Sequence, residues 1–375
     1  MATPLLAIIA DHIRARGPIT VAEYVELALY HPEHGYYAAS GQRSGRRGDF
    51  FTSVDVGPVF GELLAIQVAE MRQILGDGPF DLVEAAAGNA RLSRDLLAQL
   101  ERVDPAGYAC IRLHLVERSP AARDRQRQVL GRHASRLAGA GDLLPPAVAG
   151  IILANELLDA LPLHLVVMRG NGLREVRVGL SGDRLNTCEA PPSTPALEAY
   201  LAEVGARLEP GWFAEINLAA AAWVRQAASC LERGFLLLLD YGHEAADLYA
   251  ERHAGGTLTT FKQHAEEARH AGTGWLQDPG ARDLTSHVDL TGVRLAAESA
   301  GLETLGIVDQ TYFLLGLSAA DAALEEVGPA ASRRRLALKT LLLPGGLGST
   351  HKAMVFAKGV GRPPLRGLSA GRRLT

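Results

Sequence analysis

Short apolar segments alternate with helix-like segments from Phe80 onward, and this alternation is the sequence feature that most constrains the fold. Four segments have the length and apolar content of buried strands: FDLVEA, IRLHLVE, GIILAN and GFLLLLDY. Strands of this kind, separated by helices, build a parallel sheet that is covered on both faces. The pattern therefore predicts an α/β protein with helices on both faces of its sheet.

Each of the four predicted strands ends at a polar residue. These residues are Glu84, Glu117, Asn155 and Asp240. In open parallel sheets the ligand crevice lies beyond the carboxyl ends of the strands, so we expect these side chains to converge on one site. A single polar residue at a strand end does not by itself indicate a ligand site, because any strand must end at a polar position.

Charge and hydropathy exclude two classes of partner. The formal net charge of -4 and the pI near 6.3 lack the basic excess of a nucleic-acid-binding protein. The longest apolar runs are far shorter than the roughly 20 residues of a membrane helix, so we expect no membrane insertion. The three cysteines are odd in number and lack CxxC spacing, which favours a reducing compartment and a cytoplasmic protein without disulfides or metal.

The chain is long enough for one large or two ordinary domains. Residues 1–60 read as a helical arm with a glycine-rich loop, and residues 61–360 as the main domain, with insertions near 170–211 and 241–290. The basic, proline-containing tail at 361–375 is poor in apolar residues, so we expect it to be disordered.

The loop EAAAGNARL, residues 84–92, follows the first predicted strand, where α/β proteins place a cofactor loop. Dinucleotide folds need the pattern GxGxxG there, and this loop has only Gly88. S-adenosylmethionine has no phosphate, so its loop tolerates a looser backbone. A left-handed conformation at Ala86 or Ala90 would cost about 1–2 kcal/mol each, which a stable fold tolerates.

Two further acidic residues are candidates for cofactor binding. Glu117 can accept both hydroxyl hydrogens of a ribose while its charge repels a 2′-phosphate. Asp142 can approach an adenine amino group, although a turn-forming role for this aspartate is the commoner explanation.

Several blocks resemble the MidA-like methyltransferases, a family that includes a mitochondrial complex I assembly factor. The matching blocks are GDFFT (Gly48–Thr52), FGELLA (Phe60–Ala65), ANELLDALPLH (Ala154–His164), LDYGH (Leu239–His243), GTL (Gly256–Leu258) and PGARDLTSHVD (Pro279–Asp289). The resemblance covers most of the chain. It implies a Rossmann-like seven-stranded methyltransferase sheet, the cofactor S-adenosylmethionine and a protein substrate.

The cofactor loop departs from the family pattern ELGPGRGTL. Glu84, Gly88 and Leu92 match that pattern, and the remaining positions differ. The cofactor-binding residues implied by the resemblance and the strand ends are Glu84, Gly88, Glu117, Asp142 and Asn155.

Methylation of an arginine, which the resemblance implies, requires acidic groups that hold the guanidinium by charge-assisted hydrogen bonds. The candidates are Asn155, Glu156, Asp159 and Asp49. Glu156 and Asp159 are three residues apart and would face one pocket if a helical turn begins there. The alternatives are helix capping for Asp159 and solvent exposure for Glu156.

Histidines occur in two of the matching blocks. His243 and His287 can help remove a proton or shape the pocket, and a buried structural role is an equal alternative. The segment HPEH, residues 31–34, resembles a metal pair, but no partner ligand has supporting spacing and we assign no metal.

Three functions remain open for the chain. The first is methyl transfer from S-adenosylmethionine to a protein arginine. The second is a binding or assembly protein whose methyltransferase-like cofactor loop has degenerated, and the third is a nicotinamide-dependent oxidoreductase. Glu84, Gly88 and Glu117 favour the first, with a protein substrate as partner and a homodimer left open.

Overall fold

The computed structural model of the chain describes residues 3–38, 52–262, 265–269, 273–318, 329–342 and 351–370. Asp49, a predicted substrate residue, lies outside these residues. The chain divides into two compact units. The core unit comprises Phe51–Leu157, Arg225–Tyr241 and Ala297–Thr375, and the accessory unit comprises Met1–Phe50, Leu158–Val224 and Gly242–Ala296.

The strands are β1 (Ile19–Thr20), β2 (Phe80–Ala85), β3 (Ile111–Val116), β4 (Leu137–Gly141), β5 (Val148–Asn155), β6 (His164–Arg169), β7 (Gly172–Ser181), β8 (Arg184–Ala190), β9 (Phe213–Ile216), β10 (Leu231–His243), β11 (Thr259–Lys262), β12 (Ala265–Arg269), β13 (Asp283–Thr285), β14 (Val288–Asp289), β15 (Glu303–Asp309) and β16 (His351–Lys358). The α-helices are α1 (Pro4–Arg16), α2 (Val21–Tyr30), α3 (Val59–Leu75), α4 (Arg91–Val103), α5 (Pro105–Cys110), α6 (Pro120–Leu130), α7 (Ala196–Glu203), α8 (Leu218–Cys230), α9 (Ala245–Leu248), α10 (Leu290–Ser299), α11 (Gln310–Ser318) and α12 (Pro329–Leu342).

The core unit is built on one sheet with the strand order β4-β3-β2-β5-β10-β16-β15. Strands β4, β3, β2, β5 and β10 are mutually parallel, and β16 is antiparallel to both its neighbours. The strand order reverses between β2 and β5, and ligands of open α/β sheets bind at the carboxyl ends of strands at such a switch point. The fold class predicted from the sequence is confirmed.

The four strands predicted from apolar runs are β2, β3, β5 and β10. Strand β2 is buried at all six of its residues, and it pairs with β3 on one side and with β5 on the other. The sheet contains eight strands where the resemblance implies seven. The additional strand is the two-residue β14, which pairs with Gly242 and His243, the residues of β10 that belong to the accessory unit.

Helix α3 is part of the main hydrophobic cluster of the core unit. Leu63, Leu64 and Val68 are fully buried there, together with Phe235 and Val355 from the central strands. This cluster fixes the sheet against its helices. Every residue of the cluster removes apolar surface from water, which is the main favourable contribution to folding.

The structure corrects the prediction of a disordered tail for residues 361–370. Leu365 and Leu368 are buried in the core cluster. The backbone amides of Arg366 and Gly367 donate hydrogen bonds to Glu70 Oε2 (2.9 Å) and to the side-chain oxygen of Gln67 (3.0 Å). The two buried leucines and the two hydrogen-bonded amides hold this part of the tail in place, although its composition predicted disorder.

The accessory unit contains an antiparallel sheet with the order β1-β7-β6-β9, in which β8 pairs with β7, and a separate sheet with the order β12-β11-β13. Its hydrophobic cluster joins the N-terminal helices to both inserted stretches. Tyr24 of α2 packs edge-on against Trp275 with ring centroids 5.4 Å apart, and its hydroxyl donates to the Trp275 carbonyl. The predicted arm and insertions thus share one hydrophobic core.

Helix α2 begins at a capping box. Thr20 Oγ1 accepts from the Glu23 amide at 3.1 Å, and Glu23 Oε2 accepts from the Thr20 amide at 2.8 Å. These bonds satisfy backbone donors that a helix start leaves unpaired. None of the helices in the described ranges combines the length and the apolar character that a membrane span requires.

Candidate functional site

The loop that follows β2 has three residues with left-handed backbone conformation. Ala86, Gly88 and Ala90 have φ angles of 55°, 49° and 69°. Alanine in this conformation costs about 1–2 kcal/mol, so the surrounding contacts must hold the loop in shape. The left-handed conformation considered for Ala86 or Ala90 from the sequence is present at both positions.

The carboxylate of Glu117 supplies one of these contacts. Its Oε2 accepts a 2.8 Å hydrogen bond from the Gly88 amide, and its Oε1 accepts a 2.7 Å bond from the Ser119 amide. The side chain of Gln126 in α6 donates to the Gly88 carbonyl at 3.0 Å. Each carboxylate oxygen has two lone pairs, so one amide on each leaves acceptor capacity for the two ribose hydroxyls that the sequence interpretation assigns to Glu117.

Glu84 lies at the end of β2 and is buried. Its Oε2 accepts hydrogen bonds from the amide and the hydroxyl of Ser93, in the first turn of α4. Burial raises the pKa of Glu84 from 4.5 to about 8. Glu84 therefore positions the start of α4 behind the loop, a role that differs from the direct cofactor contact predicted for it.

The Ser93 bonds also bear on which cofactor the loop suits. Dinucleotide sites use free amides at the start of this helix to bind a pyrophosphate. Here the Ser93 amide donates to Glu84, and the Ala90 amide donates to the Ala87 carbonyl at 2.8 Å. The start of α4 therefore lacks two of the donors that a pyrophosphate would need.

Asp142 is exposed in the bend that directly follows β4, beside the exposed side chain of Leu143. Strand β4 pairs with β3 and places this bend at the same carboxyl edge of the sheet as Glu117, whose amide donates to the Gly141 carbonyl at 2.8 Å. The assignment of Asp142 to an adenine amino group stays a prediction.

The turn after β5 holds Asn155 and Glu156. Glu156 has a left-handed backbone with φ of 51°, and its amide donates to the Leu239 carbonyl of β10 at 2.8 Å. Its Oε1 accepts from the Ser53 amide and from Asn155 Nδ2, both at 3.3 Å, and lies 3.6 Å from His351 Nε2. Three segments of the core unit thus meet at this carboxylate, and β10 holds the Glu156 backbone.

The Glu156 side chain is only 14% exposed, so the alternative of a solvated glutamate is excluded. A buried carboxylate needs hydrogen bonds or an opposite charge to remain ionised. The Ser53 amide, the Asn155 amide group and the His351 imidazole are the described groups that can meet this need. The geometry is that of an acidic anchor for a cationic or hydrogen-bond-donating group.

Two observations at the carboxyl ends of β2 and β5 test whether a ligand fits here. Asn155 Oδ1 is buried and accepts no hydrogen bond within the described part of the chain, a situation that costs about 1–3 kcal/mol unless a ligand donates to it. A Cβ added to Gly88 would meet no atom within 4 Å, so the loop faces open space. S-adenosylmethionine, with its ammonium, hydroxyl and amino donors, fits these groups.

Sequence reasoning missed several groups that support the site. Ser53 is buried, and its hydroxyl lies 3.0 Å from Gln310 Nε2, the first residue of α11. Arg91 donates to Asp55 Oδ1 at 2.8 Å and to the Val54 carbonyl at 3.0 Å, which ties the loop to the segment after Thr52. Ser53 directly follows the GDFFT block, and its position next to a matching block was the sequence signal that could have identified it.

The helical turn predicted over Glu156–Asp159 is wrong at its start. Glu156 is left-handed, and a 3₁₀ helix begins only at Leu158. Asp159 belongs to the accessory unit, where its Oδ2 accepts from Thr285 Oγ1 at 2.8 Å and its carbonyl accepts from the Ser286 amide. Its assignment to substrate binding stays a prediction.

His243, the last residue of β10, also belongs to the accessory unit. It lies beside His253 and His287, and one nitrogen from each of the three rings lies within 4.8 Å of the others. His287 was named with His243 from the sequence, whereas His253 was missed because it lies outside the matching blocks. The role of His243 in proton removal stays a prediction.

Comparisons with known proteins agree with this geometry. Residues 63–308 match a family described as putative S-adenosyl-L-methionine-dependent methyltransferases. The mitochondrial protein arginine methyltransferase NDUFAF7 of Rattus norvegicus is 31% identical over 340 residues, which cover 83% of this chain and 73% of the relative. The corresponding protein of Homo sapiens is 30% identical with the same coverage.

A solved structure from Burkholderia thailandensis is similar over nearly the whole chain. The TM-score is 0.87 at 29% identity, and the alignment covers 99% of this chain and 95% of the other. That protein is described as a likely methyl transferase and is bound to S-adenosyl-homocysteine. A native structure from the same organism gives a TM-score of 0.86 at 28% identity.

Proposed function

Since the chain belongs to the family of S-adenosyl-L-methionine-dependent methyltransferases, we propose that it methylates an arginine side chain of a protein. The observation that carries the choice of substrate is the Glu156 carboxylate, which is held by Ser53 and Asn155 at the carboxyl end of β5. The names of the rat and human relatives support arginine as the methyl acceptor.

The cofactor would be held by the groups that surround the loop after β2. Glu117 offers acceptors for hydroxyl groups, Gly88 leaves space beside the backbone, and Asn155 Oδ1 offers a buried acceptor. Glu84 acts indirectly, because it fixes the first turn of α4. When bound, S-adenosylmethionine supplies an electrophilic methyl group on its sulfonium.

The same contacts argue against the two other functions considered. A nicotinamide dinucleotide would need amide donors for its pyrophosphate, and the Ser93 and Ala90 amides are already hydrogen-bonded. A degenerated loop would have no need for two alanines in a costly conformation on either side of Gly88, whose backbone is hydrogen-bonded to Glu117 and Gln126. The maintained strain supports a loop that still binds cofactor.

The protein residues must orient the acceptor and handle one proton. A carboxylate binds two guanidinium N–H groups in parallel, which fixes the plane of the guanidinium and draws its positive charge toward the acid. Glu156 Oε1 already accepts from Ser53 and Asn155, so Oε2 is the oxygen that can accept an N–H of the reacting guanidinium nitrogen. Alignment of that nitrogen lowers the entropic part of the barrier. The nitrogen that gains the methyl group loses one proton, for which the Glu156 carboxylate is the described acceptor.

Two measurements test the proposal. Titration calorimetry should show saturable binding of S-adenosylmethionine and S-adenosylhomocysteine and none of NAD. A transfer assay with radiolabelled S-adenosylmethionine and a peptide library should label peptides with a central arginine and spare matched peptides with lysine. Cofactor binding with label on lysine alone would refute arginine as substrate, and NAD binding would refute the cofactor assignment.

We also propose that the protein resides in the cytoplasm, because its three cysteines lack the spacing of disulfide or zinc motifs and suit a reducing compartment. The rat and human relatives are named as mitochondrial proteins, which makes mitochondria the competing location. Fractionation of cells that express the untagged chain distinguishes the two. Recovery of the chain inside organelles would contradict the cytoplasmic assignment.

A further inference from the structure

Three half-buried imidazoles of the accessory unit face one another. One nitrogen each from His243, His253 and His287 lies within 4.8 Å of the other two. We propose that these histidines form a binding site for one divalent transition-metal ion of the zinc type. This inference does not rest on the methyl transfer proposed above.

The backbone sets two of the three histidines side by side. Strands β10 and β14 run parallel, with Gly242 opposite Val288 and His243 opposite Asp289. His287 directly precedes β14, and its amide donates a 3.0 Å hydrogen bond to Thr257 Oγ1. Thr257 is itself hydrogen-bonded to Glu215, so these contacts hold the backbone of His287 in place.

The third histidine is oriented by a backbone carbonyl. His253 ends the 3₁₀ helix Glu251–His253, and its Nδ1 lies 2.9 Å from the carbonyl oxygen of Asp247. A carbonyl can only accept, so Nδ1 carries the proton and the lone pair of the neutral ring is at Nε2. Histidine ligands of metal ions almost always donate their other ring N–H in this way, which fixes both tautomer and ring orientation.

The donor set indicates which ions fit. Imidazole nitrogen suits Zn²⁺, Cu²⁺ and Ni²⁺, whereas Mg²⁺ and Ca²⁺ prefer oxygen ligands. In a tetrahedral zinc site with Zn–N bonds of about 2.0–2.1 Å, ligand nitrogens lie roughly 3.3 Å apart. Closing the present spread to that value takes a side-chain movement of about 1 Å, because the rings already adjoin at centroid distances of 4.8 and 5.0 Å from His243.

A bound ion would link three separate segments of the accessory unit. These are the end of β10, the turn at His253 and the residue before β14. Three protein ligands leave a fourth tetrahedral position for water or another donor. An ion bound only by the folded chain also adds its binding free energy to the stability of that fold.

The first test uses the full-length protein, stripped with a chelator and dialysed at pH 7.5. Zinc titration should give one equivalent per chain, and cobalt should give the intense visible bands of a tetrahedral site, which zinc then abolishes. Affinity should fall as the pH is lowered, because protons compete with the metal ion for the ring nitrogens. The absence of both a saturable zinc stoichiometry and a cobalt spectrum would overturn the proposal without recourse to any variant.

The second test compares His253→Gln with the double variant His31→Gln/His34→Gln. The control removes the stacked pair of the HPEH segment, whose ring centroids lie 5.3 Å apart. His253→Gln should weaken zinc binding by about 100-fold or more, since even loss of an outer contact costs 10–100-fold, and the control should bind as the parent does. Parental affinity in His253→Gln, or loss of the site in the control alone, would refute the assignment.

Discussion

The Gly88 amide donates a 2.8 Å hydrogen bond to Glu117 Oε2, and this bond joins the left-handed loop after β2 to the end of β3. Glu117→Ala removes that acceptor together with the one that holds the Ser119 amide. Hydrogen bonds to charged groups contribute about 1.5–3 kcal/mol each, so we expect S-adenosylmethionine affinity to fall at least about tenfold. Titration calorimetry measures the change.

A matched control for this variant is Asp124→Ala, which removes an exposed carboxylate from α6. The net charge changes equally in both variants. Asp124→Ala should leave cofactor affinity unchanged, because Asp124 is not among the residues that hold the loop. Equal affinities in the two variants would show that Glu117 holds neither the loop nor the cofactor.

Glu156→Gln should separate cofactor binding from methyl transfer. The amide keeps the shape of the side chain and an acceptor for Ser53 and Asn155, but it lacks the negative charge that holds a guanidinium. We expect cofactor affinity within about twofold of the parent and a transfer rate lower by roughly 10- to 150-fold, the equivalent of 1.5–3 kcal/mol. Single-turnover assays measure this rate, with exposed Glu232→Gln as control. A parental rate in Glu156→Gln would exclude it as the substrate anchor.

Ala86→Gly should stabilise the protein. Ala86 is exposed and has φ of 55°, so glycine relieves about 1–2 kcal/mol of strain and loses about 0.4–1 kcal/mol through greater freedom of the unfolded chain. We expect the free energy of unfolding to rise by about 0.5–1 kcal/mol in urea titrations. Ala98→Gly, inside helix α4, should instead lower it by about 1 kcal/mol. A loss of stability in Ala86→Gly would show that the strain is absent.

Glu84 should make stability depend on pH. Its pKa is about 8 in the folded chain and near 4.5 when unfolded, so the folded state binds the additional proton between these values. The stabilisation from this proton is present below about pH 4.5 and is lost as the pH rises through 8. In Glu84→Gln the side-chain amide still accepts from Ser93 but does not titrate. The decrease in stability with rising pH that Glu84 causes should therefore disappear.

Urea unfolding at pH 5.5, 7 and 8.5 measures the effect, because other titrating groups contribute equally to both proteins. The difference in unfolding free energy between Glu84→Gln and the parent should change in favour of the variant by more than about 1 kcal/mol as the pH rises. A constant difference across this range would mean that Glu84 is ionised in the folded protein.

Leu368→Ala tests the ordered tail. Leu368 is buried in the core cluster, and truncation of a buried leucine costs about 2–5 kcal/mol. The same substitution at Leu336, which is 66% exposed on α12, should change the unfolding free energy by less than about 0.5 kcal/mol. Equal effects of the two substitutions would show that the tail adds nothing to the core.

Local sequence patterns predicted the part of the fold that depends on local chemistry. Four apolar runs became β2, β3, β5 and β10, because burial on both faces of a parallel sheet demands continuous apolar residues. The position of Glu117 at the carboxyl edge of the sheet was also accessible, because the residues that end parallel strands lie at that edge. The prediction of a disordered tail was wrong because its few leucines are enough to order it when the core unit provides an apolar surface on which they pack.

Contacts between distant segments were not accessible in the same way. Ser53, Glu156 and His351 meet although about 100 and 195 positions separate them along the chain, and no local period encodes this meeting. The histidine cluster is similar, because the pairing of β10 with β14 creates it. In the sequence, HPEH resembles a metal pair because its two histidines are close along the chain. The three histidines of the cluster are close only in space.

The position of β16 has a consequence for biosynthesis. This strand pairs with β10 on one side and with β15 on the other. Until His351–Lys358 leaves the ribosome, both partners present open edges, which invite pairing with other chains. Premature termination before this strand would therefore yield an aggregation-prone fragment rather than a smaller working enzyme, and the nascent chain would need protection until β16 is made.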